Sequence, residues 1–542
     1  MRYLDVTLVA QILSLSAFLT TSAVGQKLEP KFGPAVAYAE GVGPDSVSAA
    51  DLRGNGVLDL VVANFCEIIG EAGNCEGGVS VLLGNGNGTF QAPVTYGTGA
   101  YQATSVAIGD VNGDGIPDLI VANTCGTLGQ YGCDSQPGAV SVLLGKGDGT
   151  FQSAVVFSSG GLDSYSVAVA DLRGDGTLDL VVTNTCLNAE CTNGSIGVLL
   201  GNGDGTFQPA VSYDSGGYIA ASVAIGDVSS DGIPDLLVAN FCEYNECGTR
   251  NGEVGVLLGN GDGTFKPAVL YDSGGEFLVS VAVGDLRGNG ILDVVAANEF
   301  SDDEGKKLRS DVGVLLGNGD GTFQTADSYP VDGISYPSYP AIGWGINAIV
   351  TADVNGDGIP DVAIVESCQT IQRYTDCVGN KEVNVYLGNG DGTFQAPIVY
   401  SSGGFIGLDL AIADVNGDGR PDLVVTNAAV SEEDDSQGSV AVLLNDTTYT
   451  TKTALTSSPD PAAINQTVTF TATITSTPSV PNGEVVTFYD GKTELGTGAT
   501  ADGVATLSTS FAKAKSYTIK ASYSGDAFRK ASSGTVKQVV NP

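Results

Sequence analysis

The length, composition and charge of this chain exclude several classes of protein. Its 542 residues include 76 glycines, 62 acidic side chains, 23 basic side chains and no histidine. Without histidine, the chain has no Ser-His or Cys-His nucleophile and no imidazole ligand for zinc or iron. A formal charge of −39 repels nucleic-acid phosphates and acidic lipid surfaces, so cations are the favoured partners.

Residues 1–25 are typical of a signal peptide. Arg2 supplies a positive charge, residues 6–19 are mostly apolar, and small residues at 23–25 suit cleavage before Gln26. The alternative is a buried N-terminal helix. No later stretch has the roughly 18 consecutive apolar residues that a membrane helix needs. We therefore expect a monomeric protein that is secreted or exposed at the cell surface, without membrane insertion.

An aspartate-rich loop of nine residues recurs seven times along the chain. We number these loops one to seven; their ranges are 51–59, 110–118, 171–179, 227–235, 285–293, 353–361 and 414–422. Intervals of 56 to 68 residues between them suit one four-stranded propeller blade for each repeat. A Gly-Asn-Gly-Asp-Gly-Thr-Phe turn, or a close copy, follows the third predicted strand in six of the repeats.

Apolar, β-branched segments around the loops predict four strands in each repeat. In the second repeat these strands cover residues 105–108, 119–122, 139–144 and 151–157. The seventh repeat lacks its fourth strand, and residues 32–38 near the N-terminus match that missing strand. The sequence therefore predicts an all-β, seven-bladed β-propeller over residues 26–446, closed by its N-terminal strand.

The repeats resemble a known family. Asp-Val-Asn-Gly-Asp-Gly-Ile-Pro-Asp at 110–118, with Leu-Leu-Gly-Asn-Gly-Asp-Gly-Thr-Phe as at 199–207, resembles the FG-GAP/VCBS repeats of bacterial surface proteins. Those repeats are similar to the propeller of the integrin alpha chain. The resemblance covers about residues 32–446 and implies both a seven-bladed propeller and calcium binding by the loops. It identifies no ligand, because this scaffold serves many functions.

The residue pattern of the loops also indicates calcium independently. Oxygen ligands at positions 1, 3, 5 and 9, a backbone carbonyl at 7 and a glycine at 6 suit a hard cation of this size. Three loops carry the full set: Asp110, Asn112, Asp114 and Asp118 in loop two, Asp353, Asn355, Asp357 and Asp361 in loop six, and Asp414, Asn416, Asp418 and Asp422 in loop seven. The alternative is a set of metal-free, Asx-rich turns.

The other four loops are weaker candidates. Loop four has a serine at position 3, and its candidate ligands are Asp227, Ser229, Asp231 and Asp235. Loops one, three and five have arginine there, at Arg53, Arg173 and Arg287, and arginine has no acceptor for a metal. Their remaining candidate ligands are Asp51, Asn55 and Asp59 in loop one, Asp171, Asp175 and Asp179 in loop three, and Asp285, Asn289 and Asp293 in loop five.

Two outcomes are open for the loops with arginine. Either the side chain turns outward and the loop binds calcium weakly, or the guanidinium replaces the ion by bridging carboxylates. The sequence favours calcium in loop three and leaves loops one and five undecided. In all, we expect about three to seven structural calcium sites.

Ten cysteines form five close pairs at one place in their repeats, just after the second strand. The pairs are Cys66 with Cys75, Cys125 with Cys133, Cys186 with Cys191, Cys242 with Cys247, and Cys368 with Cys377. Their joint absence from repeats five and seven indicates local disulfides in an exported protein. A zinc site would need shorter spacings and four converging thiolates.

The face opposite the aspartate-rich loops carries an insertion with Tyr336, Tyr339 and Trp344. Aromatic side chains on a loop can stack on a sugar or anchor a protein partner. The alternative is that they pack across the mouth of the propeller. These three residues are the candidate ligand contacts.

Residues 447–542 predict a separate β-sandwich, because short alternating strands are separated by turn residues there. The segments 486–491 and 521–526 resemble those of bacterial Ig-like domains, which occur as spacers in surface proteins.

The sequence favours a secreted or cell-surface, calcium-binding recognition or adhesion protein that presents propeller loops to a glycan or protein ligand. It assigns no catalytic residue. The alternative is an extracellular, lyase-like enzyme acting on polysaccharide, a chemistry that can proceed with calcium, Lys, Arg or Tyr and without histidine.

Overall fold

The computed structural model describes residues 29–39, 41–69, 75–128, 133, 136–242, 251–301, 308–331, 342–370, 382–429 and 438–542. Within these ranges the structure is all-β, with 34 strands and no helix. The predicted signal peptide, residues 1–25, lies outside them. Among the described residues, no helix has the length and apolar character needed to cross a membrane.

Residues 36–214 form the first eleven strands. They are β1 (Val36–Ala39), β2 (Val42–Ala50), β3 (Asp59–Ile69), β4 (Cys75–Leu82), β5 (Val94–Gly109), β6 (Asp118–Cys125), β7 (Pro137–Leu143), β8 (Val155–Ala170), β9 (Asp179–Cys186), β10 (Ser195–Leu199) and β11 (Val211–Asp214). Strands β2 to β11 form one ten-stranded sheet in chain order. The sheet is continuous because β5 and β8, each 16 residues long, run from the outer strand of one repeat into the inner strand of the next.

The next repeats form separate four-stranded antiparallel sheets. Their strands are β12 (Tyr218–Gly226), β13 (Asp235–Cys242), β14 (Glu253–Leu257), β15 (Val269–Asp272), β16 (Phe277–Gly284), β17 (Asp293–Ser301), β18 (Leu308–Leu315), β19 (Asp327–Pro330), β20 (Ile342–Ala352), β21 (Asp361–Thr370), β22 (Glu382–Tyr386) and β23 (Ile398–Ser401). The last sheet of the repeat region contains β24 (Phe405–Ala413), β25 (Asp422–Ala429) and β26 (Ser439–Leu443).

The N-terminal strand completes this last sheet. Strand β1 pairs antiparallel with β26, with Val36 opposite Val442 and Ala39 opposite Ser439. Each hydrophobic core of the repeat region lies between two consecutive repeats, and one cluster joins Val47 and Leu60 of the first repeat to Val424 of the last. The second strands are buried on both faces, as in β6, which explains their continuous apolar sequences.

In addition to the hydrophobic clusters, pairs of aromatic rings join consecutive repeats. The phenylalanine that ends each Gly-rich turn packs edge-on against an aromatic ring on the outer strand of the preceding repeat. The pairs are Tyr38 with Phe90, Tyr96 with Phe151, Phe157 with Phe207, Tyr213 with Phe265, Tyr271 with Phe323, and Tyr329 with Phe394. Phe32, near the N-terminus, packs in the same way against Tyr400.

The fourth strand of the second repeat starts later than the sequence predicts. We expect a strand over residues 151–157, but β8 begins at Val155, and Phe151 makes only an isolated bridge to Gly145. The ring of Phe151 instead enters the core beside Tyr96, with ring centroids 5.5 Å apart. Residues 152–154 therefore connect the turn to the strand without ladder pairing.

Replacement of Phe151 by alanine is expected to lower the free energy of unfolding by about 3–5 kcal/mol, because a buried ring is lost and a cavity remains. Phe151 is 4% exposed. Val155→Ala is the matched control, since Val155 lies at the start of β8 and is 54% exposed. Denaturant unfolding of both variants checks this; equal losses would contradict the role of the aromatic pair.

The C-terminal domain forms two packed sheets. One contains β27 (Lys452–Ser458), β29 (Thr467–Thr475) and β32 (Val504–Ser510), and the other contains β28 (Ala462–Ala463), β30 (Val485–Asp490), β31 (Thr493–Ala499), β33 (Ser516–Tyr523) and β34 (Ser532–Asn541). Alternating residues of both sheets enter a core centred on Phe470, Phe488 and Tyr523. This is the sandwich that the alternating strands predict.

Candidate functional site

Each aspartate-rich loop connects the first strand of a repeat to the second. The aspartate at position 9 is also the first residue of the second strand, as with Asp118 at the start of β6. All seven of these aspartates are 0–1% exposed. The glycine at position 6 has φ between 78° and 84° in every loop, a conformation that other residues rarely adopt. The loop sequence therefore fixes a tight turn over a buried carboxylate.

In loop two, the side chains of the candidate ligands hold the backbone of the turn. Asp110 accepts N–H groups of Gly113, Asp114 and Gly115 at 2.7–3.1 Å. Asp118 accepts the N–H of Val111 at 3.0 Å and that of Gly145, in the Gly-rich turn, at 2.7 Å. The second of these bonds brings the loop and the Gly-rich turn to the same face of the repeat, as antiparallel strand order predicts.

Loops four, six and seven have the same arrangement. The first aspartate accepts backbone N–H groups of positions 5 and 6, and the last accepts that of position 2, at 2.7–3.1 Å. Each carboxylate oxygen has two lone pairs, so these bonds leave acceptor capacity for a cation. We call loops two, four, six and seven the open loops.

Burial raises the pKa of the last aspartate in every open loop. The pKa is raised to about 6 for Asp118, to about 8 for Asp361 and to about 6 for Asp422, and it is also raised for Asp235. Desolvation is the main cause, and the other loop carboxylates add repulsion in loops two, six and seven. No lysine or arginine within the described ranges forms an ion pair with these four aspartates.

In loops one, three and five, which we call the arginine loops, a guanidinium lies on the last aspartate. Arg173 donates from Nε and from one terminal nitrogen to the two oxygens of Asp179, at 3.1 and 2.7 Å. The same terminal nitrogen donates to the carbonyl of Gly201 at 2.9 Å. The equivalent pairs are Arg53 with Asp59 and Arg287 with Asp293. The guanidinium takes the bridging position in all three loops, both in loops one and five, which the sequence leaves undecided, and in loop three, for which the sequence favours calcium.

Loop seven departs from the other open loops. Its seventh residue, Arg420, forms an ion pair with Asp418 and donates to the carbonyl of Asn445 at 2.6 Å. A cation entering loop seven therefore competes with Arg420 for Asp418. In the part of the chain that the structure describes, no three His, Cys, Asp or Glu side chains already converge as a metal cluster.

Three of the five predicted cysteine pairs lie in the described residues, and all three are disulfides. Their Cα–Cα distances are 4.8 Å for Cys66–Cys75, 5.4 Å for Cys125–Cys133 and 4.7 Å for Cys186–Cys191. Cys242 ends β13 and Cys368 lies in β21, but Cys247 and Cys377 fall outside the described residues. The bonded pairs brace the connections that follow the second strands.

The aromatic insertion is described only in part. Tyr336 and Tyr339 lie outside the described residues, and Trp344 is placed by its backbone in β20, opposite Cys368. Their predicted contact with a ligand stays a prediction.

A central cavity of about 180 Å³ is a feature that the sequence analysis misses. The first strand of every repeat contains a β-bulge, and the bulged residues line this cavity. Asp45 and Asp409 lie in its wall, and the Asp409 carboxylate accepts the N–H of Val47 at 2.9 Å. Five of the seven repeats have serine at the position that Asp409 occupies in the last repeat. This exception to the repeat pattern is the sequence signal from which the cavity site could have been found.

Desolvation on burial, and to a smaller extent the negative charge of Asp409, raise the pKa of Asp45 to about 7. The free energy of unfolding is therefore expected to fall as the pH rises from about 4 to about 7. In that window the unfolded chain releases the proton and the folded chain retains it. Asp409 has a raised pKa too, and desolvation, followed by the charges of Asp45, Asp409 and Glu299, raises the pKa of Tyr165 to about 12.

Asp45→Asn therefore should remove part of this decline. Unfolding measured at pH 4.5 and at pH 8 checks it, with exposed Glu190→Gln as control. A variant that follows the native pH profile would contradict the assignment.

Comparison with known proteins identifies the repeats. The family model described as FG-GAP-like repeat matches residues 68–121, 131–182, 186–238, 302–364 and 375–425, together half of the chain. A model described as FG-GAP repeat matches residues 103–143, and one described as bacterial Ig-like domain (group 3) matches residues 455–541.

Among curated relatives, integrin alpha pat-2 of Caenorhabditis elegans is 26% identical over 221 residues, covering 37% of this chain and 17% of that protein. Integrin alpha-V of Gallus gallus is 26% identical over 210 residues, covering 37% and 19%. The match thus spans less than a fifth of either relative. Among solved structures, rhamnogalacturonan lyase YesW has a TM-score of 0.40 at 14% identity, covering 76% of this chain and 74% of that chain. On its repeat sequences, the chain belongs to the family of proteins with FG-GAP-like repeats, and it carries a C-terminal bacterial Ig-like domain.

Proposed function

We propose that this chain is an extracellular recognition or adhesion protein, without enzymatic activity, whose open loops hold structural calcium. The FG-GAP-like repeats and the integrin alpha relatives support a recognition role. The disulfides support an oxidising, extracellular location.

One observation carries the calcium proposal. The same buried aspartate ends all seven loops, and in the three arginine loops a guanidinium neutralises it. In the open loops that aspartate accepts backbone N–H bonds, with one side-chain bond from Ser229 in loop four, and Asp118 and Asp361 have raised pKa values. A buried carboxylate without a positive partner is costly, so the open loops favour a bound cation.

The donor set favours calcium over other cations. Carboxylate, amide and backbone carbonyl oxygens suit a hard ion, and the chain offers no histidine and no free thiol among its described cysteines. Calcium in these loops would tie the turn to the start of the second strand and to the Gly-rich turn. Its role is to stabilise the repeats, and the residues around it perform no chemistry.

Recognition is assigned to the face opposite the open loops. Disulfide-braced connections lie there on a rigid β-scaffold, and such connections commonly carry binding residues. We propose a glycan or a protein as the ligand.

A binding experiment tests the proposal. The chain from Gln26 onward is incubated with immobilised polysaccharides and matrix proteins in calcium or in chelator, and glycan length is measured in the same wells. Retention in calcium, with intact glycan, is the expected result. Shortened glycan would overturn the non-enzymatic assignment, and equal retention in chelator would overturn the requirement for calcium.

A further inference from the structure

The C-terminal Ig-like domain contacts two of the open loops directly. The Tyr449 hydroxyl donates to the carbonyl of Asn355, in loop six, at 2.8 Å. Arg529 donates to the next carbonyl of loop six, that of Gly356, also at 2.8 Å. From loop seven, Arg420 donates to the carbonyl of Ala527 at 2.7 Å. The domain is therefore held against the repeats by three hydrogen bonds to or from loop residues.

These contacts bury loop six more than its counterpart in the second repeat. Asn355 is 1% exposed and Asp357 is partly buried, whereas in loop two Asn112 is partly exposed and Asp114 is exposed. The covering side chains are themselves buried: Tyr449 is 2%, Arg529 4% and Phe528 9% exposed. The Ig-like domain thus covers loop six at Asn355 and Gly356, while Gly358 stays exposed.

The fit is closest at Gly356, the fourth residue of loop six. A Cβ atom on Gly356 would overlap the ring of Phe528, so no larger residue fits beneath that ring. A Cβ on the matching residue of loop two, Gly113, would meet nothing closer than 3.8 Å. The ring and the loop backbone are therefore in direct contact, without room for water between them.

Hydrogen bonds within the Ig-like domain hold the covering segment together. Asp526 accepts the N–H of Phe528 at 2.9 Å, the hydroxyl of Tyr523 at 2.8 Å and a terminal nitrogen of Arg529 at 3.2 Å. Tyr449 is joined to the same segment by backbone bonds to Phe528 and Lys530. Tyr449, Phe528 and Arg529 therefore form one hydrogen-bonded surface against the loop.

We propose that the Ig-like domain is a lid that slows calcium exchange at loop six and joins the two domains at that site. The inference rests on the proposed function, because it needs calcium in the loop. Tyr449, Phe528 and Arg529 are positioning residues: they contact the loop backbone, and the candidate ligands are the loop's own oxygens. The domain blocks the side of loop six formed by Asn355 and Gly356, so an ion there leaves more slowly than one at loop two, whose matching side is open to solvent.

Stopped-flow release of calcium from the full chain into excess fluorescent chelator tests the lid. We expect a slow release phase that accounts for about one calcium ion and is absent in Asp361→Asn. The rate constant of this phase should be at least tenfold higher in Arg529→Ala and in Phe528→Ala. Tyr449→Phe, which removes only one hydroxyl, should accelerate it less. Lys530→Ala is the matched control, because its exposed side chain adjoins Arg529, and it should leave every phase unchanged.

The outcomes separate the two proposals. If the chain releases no calcium, the proposed function fails and the lid fails with it. If calcium is bound but the slow phase is missing, or is unaltered in Arg529→Ala and Phe528→Ala, the lid is wrong and the proposed function stands. Near-ultraviolet circular dichroism of each variant in calcium shows whether the fold is kept. If Arg529→Ala or Phe528→Ala does not fold, the milder variant Tyr449→Phe still tests the lid.

Discussion

Chelation of calcium is expected to lower the free energy of unfolding of the repeat region by up to about 11 kcal/mol. A ligand that binds only the folded state stabilises it by about 2.7 kcal/mol per site at one hundred times its Kd, and four open loops add these increments. Chelation also restores repulsion between carboxylates, such as those of Asp353, Asp357 and Asp361 in loop six. Thermal and denaturant unfolding, in calcium and in chelator, measure the effect.

Magnesium provides the control for this prediction. It is smaller and demands near-ideal octahedral geometry, so it should restore little of the stability that calcium restores. Re-addition of calcium should recover the original unfolding curve. Identical curves in calcium and in chelator would contradict structural calcium in the open loops.

The second large expected effect is a gain of calcium binding in the variant Arg173→Asn. The substitution places an amide oxygen at position 3 of loop three, beside Asp171, Asp175 and Asp179, and so reproduces the ligand set of loop two. It also removes the guanidinium that lies on Asp179. We expect one additional calcium ion per chain. Native mass spectrometry, or calcium titration of the variant beside the native chain, counts it.

Arg173→Leu is the matched control. It removes the same guanidinium but offers no oxygen, so it should gain no calcium. It leaves the buried Asp179 without its partner, which costs about 3–5 kcal/mol of stability. Arg173→Asn should lose a similar amount of stability in chelator and regain that stability in calcium. An unchanged ion count in Arg173→Asn would show that the loop excludes calcium for another reason.

Much of the architecture can be predicted from the sequence, because the repeats combine two strong local signals. Gly and Asp at fixed spacing mark the turns, and β-branched runs such as residues 119–122 mark strands buried on both faces. The sandwich of the C-terminal domain follows from alternation of apolar and polar residues in strands such as Thr467–Thr475.

The remaining features depend on contacts between distant residues. The position of the Arg173 guanidinium is decided by Asp179 and by the carbonyl of Gly201, which lies 28 residues along the chain. The central pair of Asp45 and Asp409 meets only because the first and last repeats are neighbours. No local pattern indicates the position of the Arg173 guanidinium, and the only sequence signal of the central pair is an aspartate, Asp409, where five repeats have serine.

The docking of the C-terminal domain is likewise not predictable from the sequence. Tyr449 and Phe528 look like ordinary sandwich residues, and a passive spacer is the simplest interpretation of the domain. Their contacts with Asn355 and Gly356 exist only because the chain after β26 turns back over loop six.

The calcium stoichiometry of the full chain tests the central claim most directly. Native mass spectrometry of the protein equilibrated with millimolar calcium should find about four ions per chain, one for each open loop. A count of about seven would show that the arginine loops bind calcium despite their guanidinium groups. A count of zero would contradict calcium as the partner of the buried aspartates.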